Sequence, residues 1–322
     1  MRLSPPGYAK FAQANALELA YGGGEANVAI SLAYFGLNCI HVTKFPDNLL
    51  GKSATQFLRH HWVDTSEIIY GEGKMGKYFM EKGAVHRSSE VVYERDDSAF
   101  TSIDVGQINW QRILDETDWL HFTGITPGIC EGAADNCQRA LDVAKRYGVA
   151  VSIDIHSRKN QWQYGRERNE VMKGLVRDCD VLIASQFDIH DVLGIGTQED
   201  SFELAAEKVT QKYPRISKVV DKNREIKSAS HNRIQGLLWN GEQVLYSPTF
   251  DITHIVDRVG TGDAFAAGLI YGLLHFDSDQ EGVDFASAAC ALKHTVEGDA
   301  NMVSVADVER LMDGYESGRI IR

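Results

Sequence analysis

The chain carries little that would hold it together through covalent or metal links. Its five cysteines (Cys39, Cys130, Cys137, Cys179, Cys290) are odd in number, scattered and without C-x-x-C spacing. That excludes a disulfide framework and a cysteine-based zinc site; the thiols read as buried and free, in a reducing compartment. Excess positive charge is missing as well. Lys and Arg total 33 against 45 Asp and Glu, a net charge of −12, so nucleic acid and anionic membranes are excluded as main partners. No apolar run reaches the ~20 residues of a membrane span. No signal peptide is visible, and a cytoplasmic location is expected. Internal repeats, low-complexity tracts and long linkers are absent. There is no G-x-x-x-x-G-K-[ST], hence no P-loop. There is no H-R-D or D-F-G set, hence no protein-kinase catalytic loop. The histidines offer no H-x-x-x-H pair and read as solvated or core residues.

What is present is an ordinary globular composition, 43% hydrophobic and 24% charged over 322 residues, enough for a large core and a second small element. Short β-branched or aromatic runs at residues 39–43, 119–123, 150–155, 181–184 and 218–220 alternate with helical stretches at 25–35, 53–60, 132–147, 169–176, 202–212, 263–274 and 284–294. This predicts an α/β fold, with a mostly parallel sheet covered by helices on both faces. Ligands on such sheets bind beyond the carboxyl ends of the strands. That points to Gly124, residues 154–158, residues 185–188 and the turn at Gly260.

Two stretches break the alternation. Residues 2–21 contain Pro5-Pro6-Gly7 and no helical period, and residues 74–95 read as a hairpin of 77–81 and 90–95. Tyr93 and Arg95 share one face of their strand, since side chains alternate with period two. A small β-sheet lid of residues 1–21 and 74–95 is therefore expected over a core of residues 22–73 and 96–322.

The most informative stretch is Asp257-Arg258-Val259-Gly260-Thr261-Gly262-Asp263, followed by an apolar run from Ala264 to Leu274. It reads as a Gly-x-Gly turn at the N-terminus of a buried helix, with a carboxylate in the first turn. Free backbone N–H groups there form an anion site, so the pattern predicts a base beside a phosphate. The structural alternative is a strand-to-helix turn with a mildly stabilising acidic residue. A second cluster, Gly22-Gly23-Gly24-Glu25-Ala26-Asn27, lacks the third glycine of a dinucleotide fingerprint. It allows either a flexible loop with Asn27 facing its own helix or sugar hydroxyls bonded to the Gly23 backbone and the Asn27 side chain.

With these marks the chain resembles the ribokinase-like (PfkB) family of sugar kinases, a three-layer fold with a small β-sheet lid. The resemblance rests on Gly22-Gly23-Gly24-Glu25-Ala26-Asn27-Val28-Ala29 and on residues 257–263. Within the family it is most similar to 2-keto-3-deoxygluconate kinases, through Arg2-Leu3-Ser4-Pro5-Pro6-Gly7, Val63-Asp64-Thr65-Ser66, Phe122-Thr123-Gly124-Ile125-Thr126-Pro127, Ala291-Leu292-Lys293-His294 and Gly298-Asp299.

The resemblance implies phosphoryl transfer from ATP, with Mg2+, to the 6-hydroxyl of the sugar acid 2-keto-3-deoxygluconate. Asp263 would be the base, and the backbone N–H groups of Gly260, Thr261 and Gly262 would hold the transferring phosphoryl group. Arg158 would bind the substrate carboxylate through paired hydrogen bonds, with Tyr78, Tyr93 and Arg95 as lid contacts. Exposed surface roles are the alternative for these four. Lys222, Arg224 and the helix at 289–293 would face the adenine, and Asp299 would be an acidic residue on the nucleotide or the substrate side.

The chain departs from the family pattern at several places. Ser185-Gln186-Phe187-Asp188 stands for Asn-x-x-Glu, leaving only Asp188 for the metal. His156-Ser157 stands for Asn-Tyr, Thr261 for a smaller residue, and His60-His61-Trp62 where a glycine is usual. Relatives carry a further strand ahead of the Arg2-Leu3-Ser4 stretch, and losing a sheet strand would be costly, which fits a clipped or misassigned start. The rival readings are a kinase of fructose or ribose, and a catalytically weak sugar binder. An exposed lid sheet points to a homodimer, because open edges and apolar faces tend to be covered.

Overall fold

Neighbouring residues of the central strands point to opposite faces, and both faces are apolar. Leu182, Val219 and Leu237 pack into one buried cluster, while Val181, Ile183, Val220 and Leu238 pack into another. A strand apolar on both sides must lie between two layers. The computed structural model, which describes residues 1–156 and 161–314, has that three-layer arrangement.

In chain order the strands are β1 (Arg2–Ser4), β2 (Glu18–Ala20), β3 (Thr43–Pro46), β4 (Ile68–Gly71), β5 (Lys77–Glu81), β6 (Glu90–Glu94), β7 (Trp119–Thr123), β8 (Ala150–Asp154), β9 (Val181–Ile183), β10 (Lys218–Ser228), β11 (His231–Trp239), β12 (Val244–Tyr246) and β13 (Phe250–Ile252). The helices are α1 (Gly24–Tyr34), α2 (Leu49–His60), α3 (Trp110–Leu114), α4 (Glu131–Tyr147), α5 (Arg168–Val176), α6 (Gln186–Leu193), α7 (Phe202–Lys212), α8 (Thr261–His275), α9 (Asp279–Lys293) and α10 (Val305–Met312).

The main sheet has the order β12-β11-β10-β9-β8-β7, with β13 also on β11. β7 to β10 are parallel, and the β10–β11 hairpin and its neighbours are antiparallel. Residues of α3 to α7 cover one face, and residues of α1, α8, α9 and α10 cover the other. α8 and α9 approach closely because glycines line the contact. A β-carbon on Gly268 would lie 2.8 Å from the Ala286 Cα, and one on Gly272 would lie 2.6 Å from the Gly282 Cα. Among the described residues no helix is long and apolar enough to cross a membrane.

A separate four-stranded sheet, β2-β1-β5-β6, brings Arg2–Ser4 and Glu18–Ala20 beside the hairpin of residues 77–94. Tyr78 pairs with Tyr93 across that hairpin. The strand expected at 39–43 is instead β3, four residues later, paired in parallel with β4; Ile40 keeps only an isolated bridge to Asp64. Trp62, in the His60-His61-Trp62 stretch, takes a left-handed conformation, φ 60°, which costs an L-residue ~1–2 kcal/mol.

Candidate active site

Gly260 fixes the turn from which the site is built. Its φ of 75° is left-handed, and a β-carbon there would lie 1.7 Å from the Asp299 carbonyl oxygen, so any other residue would displace the backbone. Gly260 caps α8. The first helical bond runs from the Ala264 N–H to the Gly260 carbonyl at 2.8 Å. The N–H groups of Thr261, Gly262 and Asp263 therefore lack intrahelical acceptors and face forward as an anion site at the positive end of the helix dipole.

Asp263 is buried in the first turn of this helix. Its Oδ2 accepts a hydrogen bond from Asn27 Nδ2 at 2.7 Å. Asn27 lies in α1, and its Oδ1 accepts from the Gly23 N–H at 3.3 Å. Asn27 thus faces its own helix end through one side-chain atom, as one reading of the glycine cluster had it, and orients the carboxylate through the other. Burial pushes the Asp263 carboxyl up to about 6, and His156 and Asn27 act in the opposite direction. A carboxylate of that kind is a better base than an exposed one and remains ionised near neutrality.

Lys222 and Arg224, on β10, converge on the same turn. Arg224 Nη2 donates to Thr261 Oγ1 at 2.9 Å, and Lys222 Nζ lies 3.7 Å from where a β-carbon on Gly262 would sit. Their charges are set beside the anion site. In the α9 stretch expected on the adenine side, Ala289, Cys290, Ala291 and Lys293 are buried.

All described candidate residues except Asp188 line one cleft of about 1200 Å³. On its lid side, Tyr78 donates its hydroxyl to Asp299 Oδ2 at 2.6 Å, and the Arg95 guanidinium lies 4.4 Å from the centre of the Tyr93 ring. Arg158 lies outside the described residues.

Two of the expected site residues already have partners within the protein. Asp299 is buried and committed to the protein: besides Tyr78 it pairs with Arg2 Nε at 3.2 Å. It therefore ties the lid to the core, with its acidic group already neutralised by a cation. Asp188 turns back on its own helix. It accepts from Ser185 Oγ at 2.6 Å and from the Ser185 N–H at 3.2 Å, while Ser185 Oγ accepts from the Asp188 N–H. This reciprocal cap satisfies the first turn of α6 and turns the carboxylate away from the cleft. Among the described residues no group of three or more His, Cys, Asp or Glu side chains is placed to hold a metal ion.

The structure adds three site features to the sequence reading. Asp154, at the end of β8, pairs with His156 Nδ1 at 3.2 Å. Asp154 raises the His156 pKa, and despite burial His156 in turn holds Asp154 down at about 2. His156 Cε1 lies 3.7 Å from the position of a Gly262 β-carbon, so an imidazole whose protonated form Asp154 favours borders the anion turn. The signal available was their place just past a strand end. Glu25 is the second feature: its Oε1 accepts from the Thr123 N–H (3.0 Å), Thr123 Oγ1 (2.9 Å) and Thr126 Oγ1 (2.5 Å). Burial would raise its pKa, but these bonds outweigh it and lower the pKa. Glu25 thereby locks the start of α1 onto β7. Arg2 is the third: its stretch carried part of the resemblance, but nothing in the sequence shows its ion pairs with Asp257 and Asp299.

Set against known proteins, the chain matches the pfkB family carbohydrate kinase profile over residues 5–306. The 2-dehydro-3-deoxygalactonokinase of Haloferax volcanii is 29% identical over 318 residues, 99% of this chain and 95% of the relative. The solved 2-dehydro-3-deoxygluconokinase of Thermotoga maritima is 40% identical with a TM-score of 0.92, covering 97% of this chain and 96% of that one. A solved pfkB family carbohydrate kinase of Listeria grayi is 31% identical with a TM-score of 0.92, covering 97% of each chain.

Proposed function

Because the chain belongs to the pfkB family of carbohydrate kinases, we propose that it transfers the γ-phosphoryl group of ATP to the 6-hydroxyl of 2-keto-3-deoxygluconate. The observation that carries this reading is the pairing of Asp263 with the unbonded N–H groups of its own helix turn. A sugar hydroxyl above Asp263 would lose its proton to the carboxylate while its oxygen bonds to the γ-phosphorus and the bond from that phosphorus to the β–γ bridging oxygen breaks, ADP leaving with the electron pair. The Thr261 and Gly262 N–H groups, with Lys222, Arg224 and His156 around them, would hold the charge on the transferring group. Phosphoryl transfer asks the protein mainly for such positioning and electrostatic stabilisation. Magnesium bound with the nucleotide would supply charge neutralisation at the phosphates; the chain's own residues would bind and orient the substrates and take the proton.

Arg95 and Tyr93 on the lid side, and Arg158 beyond β8, favour a sugar acid over a neutral sugar, since a guanidinium matches a carboxylate in charge and geometry. The two named deoxysugar-acid kinases among the relatives support the same choice. Exposed Leu19 and Val92 on the lid sheet support its pairing with a second copy of the chain.

The test is ATP-dependent ADP release with 2-keto-3-deoxygluconate, its galactose epimer, fructose and ribose. The sugar acids are expected to be turned over with the higher kcat/KM. Arg95→Ala is expected to raise KM for the acids ~10-fold, the worth of a charge-assisted hydrogen bond, and to leave any neutral-sugar KM unchanged. A preference for fructose or ribose would replace the substrate assignment, and no stimulation by any sugar would favour the binder.

The pH profile gives a second check. Because burial raises the Asp263 carboxyl to about 6 and the base form is the carboxylate, kcat/KM is expected to rise about tenfold per pH unit below that value and to level off above it. A profile flat through this range would separate Asp263 from the proton transfer.

A further inference from the structure

Two bonds between Asp154 and His156 fix how the imidazole is presented to the cleft. Asp154, buried at the end of β8, accepts the His156 N–H on Oδ1 at 3.1 Å. Its Oδ2 pairs with Nδ1 of the ring at 3.2 Å. One carboxylate thus holds both the backbone and the ring. The His156 backbone is left-handed, φ 41°, a conformation that an L-residue keeps only where its surroundings impose it. With Nδ1 engaged, Nε2 is the ring nitrogen left to act in the cleft, which His156 lines.

The ring faces the anion turn. Cε1, bonded to Nε2, lies 3.7 Å from the position of a β-carbon on Gly262, and Lys222 Nζ lies 3.7 Å from the same point. An imidazole and an ammonium therefore flank the glycine whose N–H faces forward. Among the described residues, the groups acting on this ring are Asp154 on β8, Asp263 on α8, Lys222 on β10 and His121 on β7. Asp154 raises the His156 pKa above the ordinary 6.5; burial opposes the rise, Asp263 adds to it and Lys222 reduces it. Burial lowers the His121 pKa, which favours the neutral form of that ring. An anion in the turn raises the proton affinity of His156 further.

We propose that His156 is a catalytic residue: its protonated imidazole, steered by Asp154, donates Nε2–H to an oxygen of the transferring phosphoryl group. The inference rests on the kinase reading above and gives that site a second titration. No proton leaves the imidazole during the transfer; the hydroxyl proton goes to Asp263 and the electron pair leaves with ADP. Once the imidazole is deprotonated, its remaining proton stays on Nδ1 opposite Asp154, and Nε2 turns a lone pair toward the anion. The family pattern has asparagine at this position, which does not titrate, so the dependence belongs to this chain.

The experiment measures ADP release by wild type, His156→Gln and Asp154→Asn with 2-keto-3-deoxygluconate from about pH 5 to about pH 10. In wild type, kcat/KM is expected to rise through the Asp263 limb at about 6, hold level, and fall as the imidazole loses its proton above the ordinary histidine value. His156→Gln keeps a neutral donor and loses the charge. It is expected to lower kcat ~10-fold, the difference between a charge-assisted and a neutral hydrogen bond, with a smaller change in the KM for sugar. It is also expected to abolish the alkaline fall and to move the acid limb upward, because His156 lowers the Asp263 pKa. Asp154→Asn is expected to move the alkaline fall to lower pH. A wild-type profile still level at about pH 9, below the ordinary lysine range, would overturn the proposal. So would His156→Gln at wild-type kcat or with the fall still present, or Asp154→Asn with the fall unmoved. The wild-type profile keeps that power even if both variants fail to fold. A wild type that phosphorylates no sugar at any pH would instead remove the kinase reading, and the proposal with it.

Discussion

Asp263→Asn is expected to lower kcat by ~100- to 10,000-fold, the usual worth of a positioned base, while nucleotide still binds. The amide keeps the shape, and its oxygen can still accept from Asn27 Nδ2, but it cannot take a proton. The same change is expected to stabilise the fold near neutral pH. The folded carboxyl titrates at about 6 against an ordinary 3.8, mainly because it is buried. The folded state therefore binds this proton more tightly than the unfolded chain. Its contribution favours folding at low pH and is lost as pH rises from about 4 through about 6. Above that range the ionised group opposes folding, and asparagine removes the opposition. Steady-state kinetics, nucleotide titration and melting curves at two pH values check both halves. Retained turnover would end the base assignment; a lower Tm at neutral pH would show that burial does not strain the carboxylate.

Gly260→Ala is expected to be the other large loss. A β-carbon 1.7 Å from the Asp299 carbonyl cannot be accommodated by a side-chain adjustment, because backbone stands on both sides. The left-handed φ adds ~1–2 kcal/mol of strain. The turn must shift, and a shift of about 1 Å costs ~100-fold in rate. Gly262→Ala is the control. Its β-carbon would meet only His156 and Lys222 side-chain atoms, at 3.7 Å or more, so stability should hold while the methyl group obstructs the anion. Equal Tm losses in the two variants, or wild-type kcat in Gly260→Ala, would remove the distinction between the glycine that shapes the turn and the one that faces the phosphate.

The elements read from sequence were those whose pattern is local. β7 and α7 lie where their apolar periods put them, and the hairpin at 77–94 follows its own alternation. β3 was misplaced because the run at 39–43 is as apolar as a strand, but pairing with β4 selects Thr43–Pro46. The second half of β10 was invisible: its residues are charged and exposed, and only the hydrogen bonds to β11 make them a strand.

For the site, the Gly260 turn, Asp263 and Asn27 were legible because glycine spacing and an apolar helix are sequence features. The fates of Asp188 and Asp299 were not, since a carboxylate reads the same whether it faces a ligand, a helix N-terminus or an arginine. The sequence alone determined the layered α/β class, the anion turn and the carboxylate beside it, all consequences of short-range pattern and backbone freedom. Only the tertiary structure decided that Arg2 and Tyr78 tie the lid to Asp299 and that His156 borders Gly262. Those contacts join residues distant in the chain, and their energetics depend on burial and partner charges that exist only once the chain has folded.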